Sequence, residues 1–226
     1  MVRIHSGVLQ LFTVIKVCIT SFTICVYGAF FCLKMFMSLS MEEVISSVLA
    51  LVGVWLTIRR SMWCWAALGI STILFGIVTL RGKLYADTAL QVIYLATCIY
   101  GAWQWWRQSH TAASHESEIT ALTPHYRFIA IVFTLCAGAL VGLFLDIYSD
   151  ADIPYYDSLC FAMSVTAQIL QAKKKIDNWL WWIMADSAYC LIYWYKGYYS
   201  FVILFIILTA MAYLGYREWK QQLSVI

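Results

Sequence analysis

The sequence predicts an all-α integral membrane protein with about eight transmembrane helices. The chain of 226 residues is 63% hydrophobic and only 12% charged, with a mean hydropathy of +0.77, so it lacks the polar surface of a soluble domain. Its apolar stretches are long enough to cross a bilayer, which takes about 20 helical residues. Strand-type alternation is absent from them, and helices satisfy every backbone polar group inside lipid.

Eight apolar segments of spanning length follow one another along the chain. They cover residues 8–33, 41–58, 62–80, 85–105, 126–145, 154–170, 179–195 and 198–216. Pro124 and Pro154 lie where two of these helices begin, where a fixed φ and a missing N–H are tolerated. Residues 1–40 start with a basic residue and an apolar run, as a signal sequence does, but no clear small-x-small cleavage site follows. We therefore expect residues 1–40 to form an additional N-terminal transmembrane helix.

The charged and metal-ligating residues exclude several classes of function. The formal charge is +3, but the basic residues are scattered over short turns, which argues against nucleic acid as a partner. The eight cysteines form no CxxC pair and are predicted to be packing residues. The polar loop at residues 108–125 contains three histidines, and we interpret it as a solvated linker instead of a metal site. We expect no metal and no cofactor.

The distribution of Lys and Arg predicts the orientation in the membrane. When the segments alternate across the bilayer, ten of these residues fall on the side of the N-terminus and four on the opposite side. Because cytoplasmic loops carry the excess of Lys and Arg, both termini are expected in the cytoplasm, with the chain in the cell (inner) membrane. The acidic loop at residues 146–152 then faces outward.

The two halves of the chain contain an internal repeat. At offsets of 115 to 116, Arg59 and Arg60 match Lys174 and Lys175, and Trp63, Cys64 and Trp65 match Trp179, Leu180 and Trp181. Gly82 matches Gly197 at an offset of 115. Gly101 matches Gly215 and Trp105 matches Trp219, both at an offset of 114. The repeat predicts a three-helix bundle at residues 41–107, a polar loop and linker helix at 108–152, a second bundle at 153–220 and a tail at 221–226. Because the second unit starts four helices after the first, the repeats are parallel, a 3+1+3 architecture associated with SWEET-type carriers.

Asp186 is the clearest candidate for a binding residue. A carboxylate at membrane depth costs about 2.5 to 3.5 kcal/mol on insertion scales and faces the protein interior. Tyr189 and Tyr193 share its helix face, so the three side chains suit a cationic aromatic ligand. The alternative is an Asp that ties helices together through a hydrogen bond.

Two polar stripes and a set of tryptophans add further candidates. The stripes at helical spacing are Asp87, Gln91, Tyr94 and Cys98, and Asp157, Ser164, Gln168 and Gln171. Amides can bind a carboxamide or a ribose, although hydrogen bonding between helices explains them equally well. Ten of the eleven tryptophans map to predicted cytoplasmic helix ends. An interfacial belt explains several of them, whereas Trp103 and Trp182 are candidates for lining a pathway or inner gate.

These motifs resemble a known family of carriers. The sequence motifs that carry the resemblance are RRSMWCW at 59–65, LYAD at 84–87, YGAWQW at 100–105, NWLWW at 178–182, YWYKG at 193–197 and GYREW at 215–219. Over residues 41–220 the chain resembles the PnuC-type nicotinamide riboside transporters, although residues 1–40 are longer than the family's usual start. The resemblance implies a SWEET-like fold, import by facilitated diffusion, trapping by a cytoplasmic kinase and a homotrimer. Relatives carry thiamine, riboflavin or deoxynucleosides, and Asn or Asp occurs at the position of Asp186.

The sequence therefore predicts a passive vitamin carrier with alternating access. Asp186, Gln91 and Gln168 are expected to orient the ligand, and the stacking residues are expected to be Tyr94, Tyr189, Tyr193, Trp103 and Trp182. Its partners are then a small-molecule vitamin and the lipid bilayer. HExxH, GxSxG, P-loop and dinucleotide-binding motifs are absent, so an enzyme is not expected. The rival class is a membrane receptor that binds the same vitamin without transporting it.

Overall fold

The computed structural model describes residues 41–81, 85–110, 119–149, 152–197 and 199–223. These residues form seven α-helices: α1 (Met41–Ile58), α2 (Trp63–Arg81), α3 (Tyr85–His110), α4 (Pro124–Tyr148), α5 (Pro154–Ala172), α6 (Asn178–Tyr195) and α7 (Tyr199–Leu223). The predicted N-terminal helix at 8–33, within the segment 1–40, lies outside the described residues. So does Gly82, one of the landmarks of the predicted repeat.

Every predicted segment from residue 41 onward corresponds to one helix. The bounds of α1 agree with the prediction, whereas α3 continues to His110 and α7 to Leu223, beyond the predicted ends at 105 and 216. Apolar composition ends where a helix leaves the membrane, but helical hydrogen bonding continues through exposed polar residues such as Arg107 and Glu218. The linker helix α4 also extends beyond its predicted bounds of 126–145 at both ends. The sequence therefore located these helices and underestimated the lengths of α3, α4 and α7 by five or six residues each.

Four of the seven described helices have the length and composition of a membrane span. They are α1, α2, α4 and residues Phe201–Leu223 of α7. The other three contain 26, 19 and 18 residues, so they are also long enough, but they carry more polar side chains. In α5 most side chains are buried, which places its polar residues inside the protein.

The described helices other than α4 pack as two groups of three. In the first bundle, α1 packs on α2 and α2 on α3; in the second bundle, α5 packs on α6 and α6 on α7. The bundles meet through α3 with α5 and through α1 with α7, and α4 packs on α5. The first helix of each bundle therefore contacts the third helix of the other.

A tryptophan packed against a glycine holds the first bundle together. The ring of Trp65 on α2 lies against Gly101 on α3, where an added Cβ would come within 2.2 Å of the ring. The same ring meets Trp105 edge-on, with 5.5 Å between centroids and an interplanar angle of 89°. Only glycine leaves room for this approach between two helices.

The second bundle repeats this contact at a constant sequence offset. Trp179 lies against Gly215, with a closest approach of 2.6 Å to an added Cβ, and meets Trp219 edge-on at 5.3 Å and 86°. All three residues follow their counterparts by 114 positions. In these contacts Trp179 corresponds to Trp65, whereas the sequence comparison matches Trp179 with Trp63 at an offset of 116.

The turns that end α1 and α5 also match each other at an offset of 114 positions. Arg60 and Lys174 both adopt a positive φ, of 57° and 51°. The N–H of Arg60 donates to the carbonyl of Thr57 at 2.9 Å, and the N–H of Lys174 donates to the carbonyl of Gln171 at 3.0 Å. Each turn thus ends its helix with one residue in the left-handed region.

The end of the polar loop docks on the turn at residues 173–177. The N–H of Thr120 donates to the Lys174 carbonyl at 3.2 Å, and the N–H of Ile176 donates to the Thr120 carbonyl at 2.9 Å. Ile119 is only 4% exposed and joins the hydrophobic core. The prediction of a solvated linker is therefore wrong for this part of the loop, because a backbone bridge and a buried Ile fix it to the second bundle.

Asp177 fixes the start of α4 to the same turn. Its carboxylate is 4% exposed and accepts hydrogen bonds from the Leu122 N–H and from Arg127 Nε, both at 2.7 Å. The bond to Arg127 is also an ion pair, and such charge-assisted hydrogen bonds are short and strong. The linker helix α4 is thus attached to the second bundle through Asp177 as well as through α5.

Replacing Gly101 with Ala should destabilise the protein by about 1 to 3 kcal/mol, because the methyl group overlaps the Trp65 ring. Gly69→Ala is the control, since the nearest atom to its added Cβ is 3.9 Å away. Unfolding in mixtures of mild detergent and SDS measures both free energies. Equal stability of the two variants would contradict the proposed role of Gly101.

Asp177→Ala should destabilise the protein by about 2 kcal/mol, because it leaves a buried N–H and the Arg127 guanidinium without their acceptor. Asp157→Ala, which breaks a more exposed ion pair with Lys196 at 3.4 Å, should cost less than about 1 kcal/mol. The same unfolding assay compares the two variants, and a larger loss for Asp157→Ala is the contrary result.

Candidate binding cavity

A cavity of about 190 Å³ lies between the two bundles. Its walls come from α1, α2 and α3 of the first bundle and from α5, α6 and α7 of the second. Apolar side chains such as Val54, Leu68 and Leu208 form part of the wall. The side chains that can hydrogen-bond or stack on a ligand include Tyr94, Cys98, Gln168, Gln171, Trp182 and Asp186. Apolar walls with a few convergent polar groups are typical of small-molecule sites.

Four of the eight residues predicted to bind the ligand line this cavity. They are Tyr94, Gln168, Trp182 and Asp186. They come from α3, α5 and α6, so both bundles contribute. The structure does not place the other four, Gln91, Trp103, Tyr189 and Tyr193, in the cavity wall.

Asp186 is buried without a polar partner. It is 5% exposed, and among the residues that the structure describes no hydrogen bond or ion pair reaches its carboxyl group. It follows Trp182 by four positions on α6, one helical turn, so both side chains reach the cavity from one face. A buried carboxylate without a partner has lost its hydration, and a cation in the cavity compensates for that loss.

The two glutamines of α5 hold fixed positions in the cavity wall. Gln168 Nε2 donates to Cys98 Sγ at 3.2 Å, and Gln171 Oε1 accepts the indole N–H of Trp182 at 3.0 Å. Within the described ranges no hydrogen bond uses Gln168 Oε1. That oxygen is therefore free to accept a hydrogen bond from a ligand.

The side chain of Tyr94 extends from α3 of the first bundle and contacts residues of the second bundle. Its hydroxyl lies beside the hydroxyls of Ser164 and Tyr189. Its ring packs edge-on against Phe161 of α5, with centroids 5.7 Å apart and an interplanar angle of 72°. Tyr94 thus presents an aromatic ring and a polar group at one wall of the cavity.

Tyr189 and Tyr193 lie behind the cavity wall. Tyr189 stacks on Phe205 of α7 at 4.9 Å, and Tyr193 stacks on the same ring at 5.4 Å. These contacts join α6 to α7, and the predicted stacking of the two rings on the ligand stays a prediction. Tyr189 still neighbours the cavity through its interaction with the hydroxyl of Tyr94.

The side chains of Gln91 and Trp103 lie outside the cavity wall. The Cβ of Gln91 lies 3.3 Å from the position of an added Cβ on Gly76, so this residue packs between α3 and α2. The ring of Trp103 is 49% exposed and lies 5.5 Å from the Arg107 guanidinium carbon. Both were predicted to contact the ligand and do not line the cavity, because the helix faces that reach the interior depend on packing between the bundles.

Sequence reasoning missed part of the cavity wall. Gln171 and Cys98 belonged to the predicted polar stripes but were not selected as site residues, and their spacing was the available signal. Thr57 lines the cavity from α1, where a few hydroxyl side chains among apolar residues give no recognisable pattern. In the part of the chain that the structure describes, no three His, Cys, Asp or Glu side chains are placed to hold a metal ion.

Comparisons with known proteins identify the family. The family model described as nicotinamide mononucleotide transporter matches residues 40–221. The chain belongs to this family. The resemblance read from the motifs is therefore confirmed, and the protein is a membrane transporter whose relatives are transporters and not enzymes.

Two curated relatives and one solved structure illustrate the family. The nicotinamide riboside transporter PnuC of Escherichia coli (strain K12) is 29% identical over 178 residues, covering 66% of this chain and 72% of the relative. The riboflavin/roseoflavin transporter RibM of Streptomyces davaonensis is 25% identical over 180 residues, covering 79% and 84%. A crystal structure of the vitamin B3 transporter PnuC has a TM-score of 0.69 at 16% identity, covering 87% of this chain and 88% of that one, which shows a shared fold.

Trp182→Ala should lower uptake of nicotinamide riboside, the substrate of the E. coli relative, at least about tenfold, because the cavity loses an aromatic ring on which the ligand can stack. Trp103→Ala should change uptake less than about twofold, since its ring lies outside the cavity. Uptake of labelled compound by cells that express each variant at equal level measures the difference. A larger loss for Trp103→Ala would assign the ligand to a different surface.

Proposed function

We propose that the protein imports nicotinamide riboside by facilitated diffusion, with the two bundles rocking around the cavity in alternating access. The observation that carries the proposal is the buried Asp186 carboxyl group, which lines the cavity without a polar partner in the described chain. The name of the E. coli relative supports the same substrate. Import is passive, and a cytoplasmic kinase traps the product by phosphorylation.

The cavity matches the chemistry of nicotinamide riboside. Its pyridinium ring is flat and positively charged, so Asp186 pairs with the charge while Trp182 and Tyr94 contact the ring. The free Oε1 of Gln168 accepts a hydrogen bond from the carboxamide or a ribose hydroxyl. Tyr189 supports Tyr94 from behind through their neighbouring hydroxyl groups.

Other vitamins of the family are the alternative substrates. The likeness to the riboflavin/roseoflavin transporter RibM supports riboflavin as one of them, and thiamine and deoxynucleosides are the others that the resemblance to the family implies. The cavity of about 190 Å³ is smaller than the usual range of roughly 300 to 1,000 Å³ for ligand sites, which favours a compact ligand with one aromatic ring over a flavin with three fused rings. Thiamine carries a positive charge as well, so Asp186 does not discriminate against it.

The proposal includes the architecture and surroundings of the carrier. Residues 41–107 and 153–220 form parallel repeats of a SWEET-like 3+1+3 core, and residues 1–40 add an eighth transmembrane helix. The contacts shared at an offset of 114 support the repeat. Both termini lie in the cytoplasm, the carrier resides in the cell (inner) membrane, and it assembles as a homotrimer in the lipid bilayer.

Purified protein in liposomes tests transport directly. Labelled nicotinamide riboside should equilibrate across the bilayer until the inner and outer concentrations are equal, without ATP or an ion gradient. Binding without equilibration would indicate the rival function of a vitamin receptor. Accumulation driven by a pH gradient would contradict passive diffusion, and equilibration of thiamine or riboflavin alone would reassign the substrate.

Asp186→Asn should raise the KM for nicotinamide riboside about tenfold, because the neutral amide cannot pair with the pyridinium charge. The uncharged dihydronicotinamide riboside serves as the matched ligand, and its KM should change less than about threefold. Liposome uptake of both compounds measures the two ratios. An equal loss for both ligands would show that the charge of Asp186 is not the contact that selects the substrate.

A further inference from the structure

Gln171 joins the aromatic wall of the cavity to the opposite bundle. It lies at the end of α5, is 3% exposed, and accepts the indole N–H of Trp182 at its Oε1. Its Nε2 donates to Thr57 Oγ1 at 3.4 Å, and its backbone carbonyl accepts the indole N–H of Trp105 at 3.2 Å. Thr57 and Trp105 belong to the first bundle, whereas Gln171 and Trp182 belong to the second.

The orientation of the Gln171 amide follows from its two partners. The indole of Trp182 can only donate, so the amide oxygen must face it. Thr57 gives its hydroxyl proton to the Gly53 carbonyl at 2.9 Å, so its oxygen accepts from the amide nitrogen. Both hydrogen-bond partners require the same orientation of the Gln171 amide, with its oxygen toward Trp182 and its nitrogen toward Thr57 of α1.

The links between bundles cluster where α1 and α5 end. Trp219 adds another there, since its indole N–H donates to the Ile58 carbonyl at 3.2 Å. At the opposite end, each described ion pair joins two helices of one bundle, Arg81 with Glu42 and Lys196 with Asp157. We call the end of the bundles where α1 and α5 end the Thr57 end. Separation of the bundles at the Thr57 end therefore requires the hydrogen bonds of Gln171 and Trp219 to break.

We propose that Gln171 is a positioning residue that holds the Trp182 ring in the cavity and couples its position to closure of the bundles at the Thr57 end. The inference rests on the proposed function, because that function places the ligand ring against Trp182. When the bundles part at this end, Gln171 loses Thr57 and Trp105 together. Its hold on Trp182 then weakens, so opening and release of the ligand ring are linked.

Two threonine variants test the coupling with matched chemistry. Thr57→Val removes the acceptor of Gln171 on the first bundle. Thr134→Val is the control, because it removes an equally buried hydroxyl whose 2.7 Å bond to Thr166 joins α4 to α5 outside the cavity. Gln171→Met completes the set by removing both side-chain hydrogen bonds at similar length.

The readout of opening is the rate at which an impermeant methanethiosulfonate reagent labels Cys98, which lines the cavity. The other seven cysteines are replaced by alanine, and the reagent is added to vesicles on the Thr57 side. Thr57→Val should label about fivefold faster than Thr134→Val, since loss of one net hydrogen bond shifts a population by about that factor. Equal rates in the two variants overturn the coupling.

The readout of positioning is the affinity of purified protein for nicotinamide riboside. Gln171→Met should bind about fivefold more weakly than Thr57→Val, because only the first variant removes the acceptor of Trp182. Equal affinities overturn the role in positioning, and a residue with only a structural role would lower both affinities alike.

The two readouts separate this inference from the proposed function. Wild-type protein that does not bind nicotinamide riboside overturns the proposed substrate, whereas labelling of Cys98 needs no ligand and still decides whether Gln171 holds that end closed. If Gln171→Met does not fold, the comparison of Thr57→Val with Thr134→Val decides the coupling by itself.

Discussion

The architecture depends on tryptophan rings packed against glycines. In lipid, helices gain little from the hydrophobic effect, so close van der Waals packing at small residues holds them together. Trp65 against Gly101 and Trp179 against Gly215 provide that packing once in each bundle. Each ring also packs edge-on against a second tryptophan, so the same contact recurs where the helices α2 and α6 begin.

Polar side chains that can bind a ligand lie at the interface between the two bundles. The bundles meet along α3 with α5 and α1 with α7, and the cavity lies between these contacts. Gln168 and Gln171 bond across this interface, whereas Asp186 remains without a polar partner in the described chain. A transporter of a cationic ring needs this combination, because the charge must be met inside the protein and released when the bundles move.

The linker helix α4 is attached to one of the two bundles. Asp177 accepts hydrogen bonds from the start of α4, and Thr120 bridges to the turn beside it, so the start of the linker is attached to the second bundle. The sequence did not predict this attachment, because a polar loop with histidines has the composition of a solvated linker. The buried carboxylate of Asp177, which accepts two hydrogen bonds, and the buried side chain of Ile119 fix this segment despite its polar composition.

By itself, the sequence determined the helices of the core and the family, since apolar length and Trp and Gly motifs are local signals. Polar and aromatic residues at membrane depth also led it to select Tyr94, Gln168, Trp182 and Asp186, which line the cavity. The tertiary structure alone decided that Gln91, Trp103, Tyr189 and Tyr193 lie outside the cavity wall and that Thr57 lies within it. Spacing along one helix shows which residues share a face. Which face meets the other bundle depends on contacts between residues more than a hundred positions apart, such as Thr57 and Gln171.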